Sequence, residues 1–276
     1  MVVTAEIAFS GAQYETLIRI IKRRTGMNLE GYRQGVAQRR IARRIRSAGF
    51  TSVEKYLGFL MSRNDEAPKL ARAITIQVSQ FFRNPDVFRV LGETVFPDVF
   101  SHKHSGEGVS VWSAGCAEGE EAYSAAILLL RKHSGSFNRH QPKVVGTDVN
   151  TESLEAARRG RYNDAKIELV DDSLKSRYFR LNNGLWEVRP IVRKLVEFRP
   201  ENLFTGPGVE GADVILARNM LIYFDRERQE TLFNNLAGCL RPGGFLVLGK
   251  SETLPGWMRE KFRPVALRER VYQKII

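Results

Sequence analysis

Residues 109–123 read VSVWSAGCAEGEEAY, and the rest of the chain is organised around them. Val109 and Val111 alternate with Ser110, Trp112 keeps the segment apolar, Gly115 and Gly119 bracket a short turn, and Glu120 opens the helical run AYSAAILLLRK. A buried strand, a glycine turn and a helix N-terminus in that order open a nucleotide-binding α/β sheet. The two glycines are expected to let backbone approach a ligand closely, with the first N–H groups of the helix pointing into the same space. A phosphate-binding loop carries no carboxylates, yet Glu118, Glu120 and Glu121 lie here. They argue against pyrophosphate and for a cationic or hydroxyl-bearing ligand.

Downstream, KVVGT at 143–147 reads as a second buried strand ending in Asp148, and an acid at that tip is placed to accept hydrogen bonds from a ribose diol. The offset from the glycine turn exceeds the roughly 20 residues of a minimal unit. The polar, breaker-rich SGSFNRHQP at 134–142 accounts for the excess as a long loop. S-adenosylmethionine, with a ribose, an adenine, a positive sulfonium and no phosphate, fits this pair of signals better than NAD.

The 276 residues hold one large domain or two modest ones, and 43% apolar content is ample for a core. No run approaches the roughly 18 apolar residues of a membrane span, and the N-terminus lacks a charged-then-apolar leader, so a cytoplasmic location is expected. Cys116 and Cys239 have no metal-ligand spacing and read as reduced packing residues. His102 and His104 fall in a polar connector with no third ligand nearby, so no metal is expected. The net charge of +12 is biased toward the first third of the chain and implies an acidic partner without choosing among nucleic acid, membrane and protein.

In that first third, Ser10 with Gln13 makes a capping box for a helix that Gly26 stops. A second helix from about Gln34 to Ala48 sets Val36, Ile41 and Ile45 against Arg39, Arg40, Arg43, Arg44 and Arg46. Arg40, Arg43 and Arg46 share one face, and no acid lies between Gly31 and Ser52 to pair with the five arginines, so this face is expected to bind something acidic. Thr51 with Glu54 starts a third helix and Asp65 a fourth. In FFRNPDVF at 81–88, Asn84 before Pro85 looks like a helix cap, and the two phenylalanines would hold Arg83 in a fixed direction.

Beyond the glycine turn, strands and helices alternate as in a doubly wound parallel sheet. A helix at 151–159 follows Asp148. Residues 171–193 break the alternation with an Asn-Gly hairpin, Arg177 to Arg180 and Leu185 to Val188. Strands at 195–198 and 213–217 resume the core and deliver Asn202 and Leu203, then Arg218 and Asn219, to the ligand edge. A helix at 225–240, a Pro242-Gly243-Gly244 turn, the strand FLVLG and a strand pair at 262–274 close the chain. The expected organisation is an all-helical basic domain at 1–88, a linker at 89–106, and an α/β domain at 107–276 with the β subdomain at about 171–193.

FFRNPDVF, WSAGCAEGEEAYS, GTDVNTESLEAARRGRY, ARNMLIYFD and LRPGGFLVLGKSE, standing in this order, resemble the bacterial chemotaxis receptor methyltransferases, the CheR family. The likeness runs from the basic helix to the last strand. It implies a class I methyltransferase fold, a Rossmann-like, seven-stranded, mostly parallel sheet with a helical N-terminal domain and an inserted antiparallel subdomain. It also implies methyl transfer from S-adenosylmethionine to glutamate side chains on cytoplasmic receptor helices, leaving S-adenosylhomocysteine, by a monomer that meets the membrane only through its receptor. Carried over residue by residue, the cofactor site comprises Arg83, Glu121, Asp148, Asn202, Leu203, Arg218 and Asn219, with Tyr223 close to the reacting methyl. Gln77 and Ser79, six and four residues before Arg83, stand where the family usually has Asn and Thr and keep the same hydrogen-bonding groups. Asp148 is assigned to the ribose, Glu121 to the aminoacyl end, Arg83 to either the methionine carboxylate or the incoming glutamate, and Tyr223 to the wall of the pocket. Arg40, Arg43 and Arg46 are assigned to the receptor.

A nucleic-acid methyltransferase would carry an Asn/Asp-Pro-Pro-aromatic motif or a catalytic cysteine where this chain has ARNMLIYF. A non-catalytic module that binds the cofactor and signals by contact is opposed by intact Arg83, Asp148 and Tyr223. Some family members bind a C-terminal receptor pentapeptide at the edge of the hairpin subdomain and carry a longer, glycine-containing loop there. Here only RLNNGL separates Phe179 from Trp186, so the pentapeptide-independent type is expected.

Overall fold

The computed structural model describes residues 7–27, 29, 31–74, 79–133, 135 and 137–275. It divides into two compact units, one of residues 1–78 with 223–228 and one of residues 79–222 with 229–276. None of the described helices is long and apolar enough to cross a membrane.

The first unit is helical. Helices α1 (Gly11–Thr25), α2 (Gln34–Ser47), α3 (Val53–Ser62) and α4 (Glu66–Ile74) bury Leu17, Ile21, Ile41, Ile45, Tyr56, Leu60, Leu70 and Ile74 in one core. The Ser10–Gln13 capping box forms, and Gly26 ends α1 in the left-handed conformation with φ +72°. The cap of α3 is Ser52 rather than Thr51, its hydroxyl accepting from the Lys55 N–H.

The second unit is built on seven strands. In chain order these are β1 (Ser110–Ala114), β2 (Lys143–Asp148), β6 (Val196–Pro200), β7 (Ala212–Ala217), β8 (Leu240–Leu248), β9 (Phe262–Ala266) and β10 (Val271–Lys274), arranged as β6-β2-β1-β7-β8-β10-β9. The first five run parallel, and β10 is antiparallel to both β8 and β9. Every residue of β7 is buried, as a central strand covered on both faces requires. The chain winds outward in one direction from β1 and in the other from β7, so the crevice at their carboxyl ends is the topological switch point where such sheets bind ligands. Trp112 of β1 donates its indole N–H to Thr147 of β2 at 2.9 Å inside this layer.

A second sheet, β3-β5-β4, comprises β3 (Arg161–Tyr162), β4 (Phe179–Asn182) and β5 (Leu185–Val188). The Asn-Gly hairpin is present, with φ of +48° at Asn183 and +73° at Gly184. It starts at Phe179 instead of Arg177, because Asp172–Tyr178 is a helix, α11, capped by Asp171. The third strand, β3, lies ten residues before the expected insertion at 171–193.

Residues 89–106 are not a linker. Helices α5 (Pro85–Val90) and α6 (Phe96–Ser101) are joined without a break by a π-helical turn, Leu91–Val95, in which the Phe96 N–H reaches the Leu91 carbonyl. The wider turn spares Pro97 the clash with a carbonyl four residues back that an uninterrupted α-helix imposes. Phe88, Leu91, Val95, Phe96 and Val99 enter the core of the sheet unit. Helices α7 (Glu120–His133), α9 (Thr151–Arg159), α10 (Asp164–Ile167), α12 (Pro190–Arg193) and α13 (Arg226–Cys239) complete the chain. A one-turn helix, α8 (Phe137–His140), sits inside the expected loop at 134–142. Pro242, Gly243 and Gly244 fall within β8, whose pairing with β7 shifts register there, so they bend a strand instead of preceding it.

Candidate functional site

The glycine turn after β1 is folded against its own protein. Gly115 and Gly119 take φ of +71° and +91°. A Cβ on Gly119 would stand 2.8 Å from the Phe198 ring and 2.9 Å from Ala157, and one on Gly115 would stand 3.3 Å from Met220 Sδ. Gly119 is therefore required by packing, and both glycines by their positive φ. The turn is tied to β2: Cys116 N–H donates to the Thr147 carbonyl and Ala117 N–H to Asp148 Oδ2, both at 2.9 Å. Burial pushes the Cys116 thiol well up, followed in effect by the charge of Asp148, which makes it a packing residue.

The three carboxylates of the turn are mostly neutralised from within. Lys166 of α10 bonds Glu120 and lies 2.9 Å from Glu118. Glu120 is fully buried, and its other oxygen has no hydrogen-bond partner among the described residues. Burial raises its pKa against the pull of Lys166. Glu121 accepts from the Ser113 hydroxyl at 2.8 Å and from Arg218 at 3.1 Å. The inference of a cationic ligand from three acids thus loses two of them to Lys166.

Arg218, delivered by the end of β7 and 7% exposed, joins three segments. Its guanidinium donates to Glu121, to the Arg83 carbonyl at 2.8 Å and to Asn84 Oδ1 at 2.8 Å. The Asn84 side chain therefore does not cap α5: it serves Arg218, while its backbone takes φ +62° ahead of Pro85. The FFRN loop is pinned at two further points, Phe81 N–H to the Lys166 carbonyl and Phe82 N–H to Ser124 Oγ, each at 2.9 Å. Both phenylalanines are buried and Arg83, which follows them, is half-buried. Ser79 is also half-buried, and Gln77 lies outside the described residues.

Asp148 ends β2 with one oxygen on the Ala117 N–H and the other on the Asn150 N–H at 2.9 Å. Burial raises its pKa, with those backbone bonds opposing. A carboxylate has about four lone-pair sites and the backbone N–H groups of Ala117, Asn150 and Val149 act on this one, so capacity for a hydroxyl remains. Asn202 folds its side chain onto the Phe204 N–H at 3.0 Å, and the Leu203 carbonyl accepts from Asn235 of α13 at 3.0 Å. Asn219 has φ +60° and hangs from Glu252. The Glu252 carboxylate, 3% exposed, accepts the N–H groups of Asn219 (2.8 Å), Leu221 (2.7 Å), Ile222 (3.4 Å) and Gly249 (2.7 Å).

Within this unit, then, Arg83, Glu121, Arg218 and Asn219 are linked directly or through one neighbour, and Asp148 is linked to the same turn. Buried Arg218 Nε has no acceptor among the described residues, and the Asp148 carboxylate has lone-pair capacity beyond its backbone bonds. An anionic group for the former and hydroxyls for the latter are what S-adenosylmethionine presents, so the donor set fits that cofactor. Sequence reading missed Glu252, Lys166, Ser124 and Asn235. Only Glu252 carried a signal, the acid four residues past the apolar strand in LVLGKSE.

The remaining candidates belong to the helical unit. Tyr223 ends a 3-10 turn, Leu221–Tyr223. Its ring stacks on Tyr32, centroids 5.9 Å apart and planes 3° apart, and the Arg40 guanidinium lies 4.4 Å from its centre. Arg40 is half-buried and also donates to the Ile74 carbonyl, whereas Arg39, Arg43 and Arg46 are exposed. The α2 arginines are not wholly without acids. Arg44 forks onto the buried Glu66 of α4 at 2.8 and 2.7 Å, and Tyr56 adds a third bond at 2.7 Å. Burial works against that carboxylate, but the Arg44 and Tyr56 bonds outweigh it and hold its pKa down.

A family profile described as CheR methyltransferase, SAM binding domain, matches residues 77–271, and one described as CheR methyltransferase, all-alpha domain, matches residues 12–75. The chain is 32% identical to the chemotaxis protein methyltransferase of Salmonella typhimurium over 93% of its own length and 89% of that protein. It is 27% identical to the chemotaxis protein methyltransferase of Vibrio parahaemolyticus, over 98% of each. It is also 31% identical to an uncharacterized 104.1 kDa protein of Rhodobacter capsulatus, over 94% of this chain but only 27% of the larger protein's length.

Proposed function

The chain belongs to the CheR methyltransferase family and is an S-adenosylmethionine-dependent protein methyltransferase, and from that premise we propose that it methylates glutamate carboxylates on the cytoplasmic helices of chemoreceptors. The observation that carries this reading is the meeting of Arg218, Glu121 and Arg83 at the switch point of the sheet, beside Asp148 on the next strand.

S-adenosylmethionine supplies a methyl group on a sulfonium that is already a good leaving group. The acceptor glutamate is ionised at neutral pH, so the protein has no proton to move and its task is alignment and exclusion of water. Asp148 is the acceptor for the ribose hydroxyls. Arg218 holds Glu121 and the Arg83 backbone in a fixed relation, which leaves Glu121 an aimed, partly neutralised acceptor for the ammonium of the aminoacyl end. The Arg83 side chain clamps a carboxylate, and Asn202, Leu203 and Asn219 shape the cofactor's surroundings with Ser79 and Gln77. Tyr223 walls the methyl-transfer pocket. The exposed Arg43 and Arg46 meet the acidic receptor helix, and the enzyme reaches the membrane through that receptor.

Incubation with methyl-labelled cofactor and membranes bearing chemoreceptors tests the proposal. Base-labile label on a large membrane protein, released as methanol, is the expected result. Label on RNA, or base-stable label on protein, rejects the glutamyl ester.

A further inference from the structure

Arg40 differs from the two arginines with which its spacing groups it. Arg43 and Arg46 are exposed, but Arg40 is half-buried, with its guanidinium 4.4 Å from the centre of the Tyr223 ring. It also donates to the Ile74 carbonyl at the end of α4, so the cation is anchored independently of the ring it faces. A guanidinium over a tyrosine ring is attracted by the negative face of the π system, most strongly where water is partly excluded.

The segment on which that ring sits is gripped by the loop before α2. Arg33 N–H donates to the Tyr223 carbonyl at 2.8 Å and Arg33 Nε to the Phe224 carbonyl at 3.0 Å. Asp225 N–H reaches the Gly31 carbonyl at 2.9 Å, and Tyr32 bridges Phe224 in antiparallel fashion. Tyr32 then stacks on Tyr223 with planes 3° apart. Backbone pairing fixes where residues 223–225 lie, while Tyr32 and Arg40 fix how the Tyr223 ring is turned. Gly31 is required for this approach: with φ +77°, a Cβ there would overlap the Arg228 side chain.

We infer that Arg40 is a positioning residue that acts through Tyr223, not a receptor-contacting residue like Arg43 and Arg46. The inference rests on the reading of Tyr223 as a wall of the methyl-transfer pocket.

The test uses the full chain, methyl-labelled S-adenosylmethionine and membranes bearing a chemoreceptor, with thermal unfolding of every variant measured alongside. Arg40→Met is expected to lower kcat about tenfold, or about 1.4 kcal/mol, with KM for the receptor within about twofold. Arg40→Lys, which keeps a cation over the ring, is expected to recover part of the loss. In a Tyr223→Leu background the Arg40→Met change is expected to cost nothing further, because a residue acting through a missing partner has no separate effect. The inference is overturned by the full tenfold loss in that background, or by a raised receptor KM at unchanged kcat. If Tyr223→Leu alone keeps wild-type kcat, the pocket reading falls and takes the inference with it. If Tyr223→Leu is impaired and the two losses simply add, only the inference falls.

Discussion

Arg218 lies 3.1 Å from Glu121, and the pair is nearly dry, with the two side chains 3% and 14% exposed. Removing one member of such a pair leaves a buried charge uncompensated, which costs about 3–5 kcal/mol. Arg218→Ala is therefore expected to lower the unfolding free energy by that much, read as a lower denaturant midpoint, and to release the Arg83–Asn84 loop, which Arg218 also holds. Arg218→Lys keeps the charge but not the fork. It should be the more stable of the two and still bind S-adenosylhomocysteine more weakly than the parent. An unchanged midpoint in Arg218→Ala would contradict the buried pair.

Asp148 yields a prediction in pH. Burial raises its pKa, so the ionised carboxylate destabilises the folded chain at neutral pH and this cost is relieved as pH falls through the raised value. Cofactor binding has the opposite sign, because ribose hydroxyls donate to the ionised form. Affinity for S-adenosylhomocysteine should be full at neutral pH and fall on acidification. Asp148→Asn should abolish that acid limb and cost about 1.5–3 kcal/mol of binding, tenfold or more in Kd. Calorimetric titration across the pH range checks both halves, and a Kd unchanged in the variant would remove Asp148 from the ribose.

The Glu252 carboxylate is the common acceptor for four backbone N–H groups around Asn219. Glu252→Ala leaves buried donors without partners and should cost at least about 2 kcal/mol. Faster hydrogen exchange at Leu221 and Ile222 would localise the effect. Exchange unchanged at those amides would show that the loop is held by something else.

What the sequence reveals follows from how local each signal is. Ser10 with Gln13 and Asn183-Gly184 act within three residues and each stands where the sequence placed it, as does Pro85 at the start of α5, although the Asn84 side chain before it serves Arg218 instead of the cap. The parallel sheet was legible because buried strands between amphipathic helices leave few other topologies. The helices through 85–101 stand where a linker at 89–106 was expected, because they are joined by a π turn at Leu91–Val95 that breaks the 3.6-residue spacing. The strand Arg161–Tyr162 is too short to show any alternation. Among the site residues, the sequence could nominate Glu121, Asp148 and Arg218 but not the residues that pin the turn and the FFRN loop beside them. Lys166 and Ser124 matter through contacts 46 and 42 residues away in the chain, a relation that no spacing rule encodes.

Arg43 and Arg46 are exposed on α2, so their contribution should be screened by salt within about 8 Å at physiological ionic strength. Reversal of both to Glu is expected to leave binding of S-adenosylhomocysteine intact. It should raise the receptor KM by about tenfold or more, equivalent to 1.4 kcal/mol. Parent activity should fall as salt rises, and the variant should be much less salt-sensitive. Full activity in the double variant would reduce this face to a solvated one.

The edge of the small sheet bears on how the receptor is found. Among the described residues β4 pairs only with β5 and the Phe179 carbonyl accepts from Arg189, which leaves β4 the edge strand that an extended peptide would have to join. Main-chain pairing supplies affinity, but specificity comes from pockets for alternate side chains, and those need chain beside the edge. Here the hairpin closes through a two-residue turn, Asn183-Gly184, with φ positive at both, the tight type that leaves no inserted loop. The outward Arg180 is held by Glu187 at 2.9 Å, which places a charged pair on the edge and discourages strand addition. Methylation should therefore not depend on a receptor-tail pentapeptide, with recognition left to the basic helix and the cleft. Titrating such a pentapeptide into the protein should give no detectable heat, and receptors lacking the tail should be methylated at the parent rate. Micromolar binding at this edge would instead make β4 a docking strand.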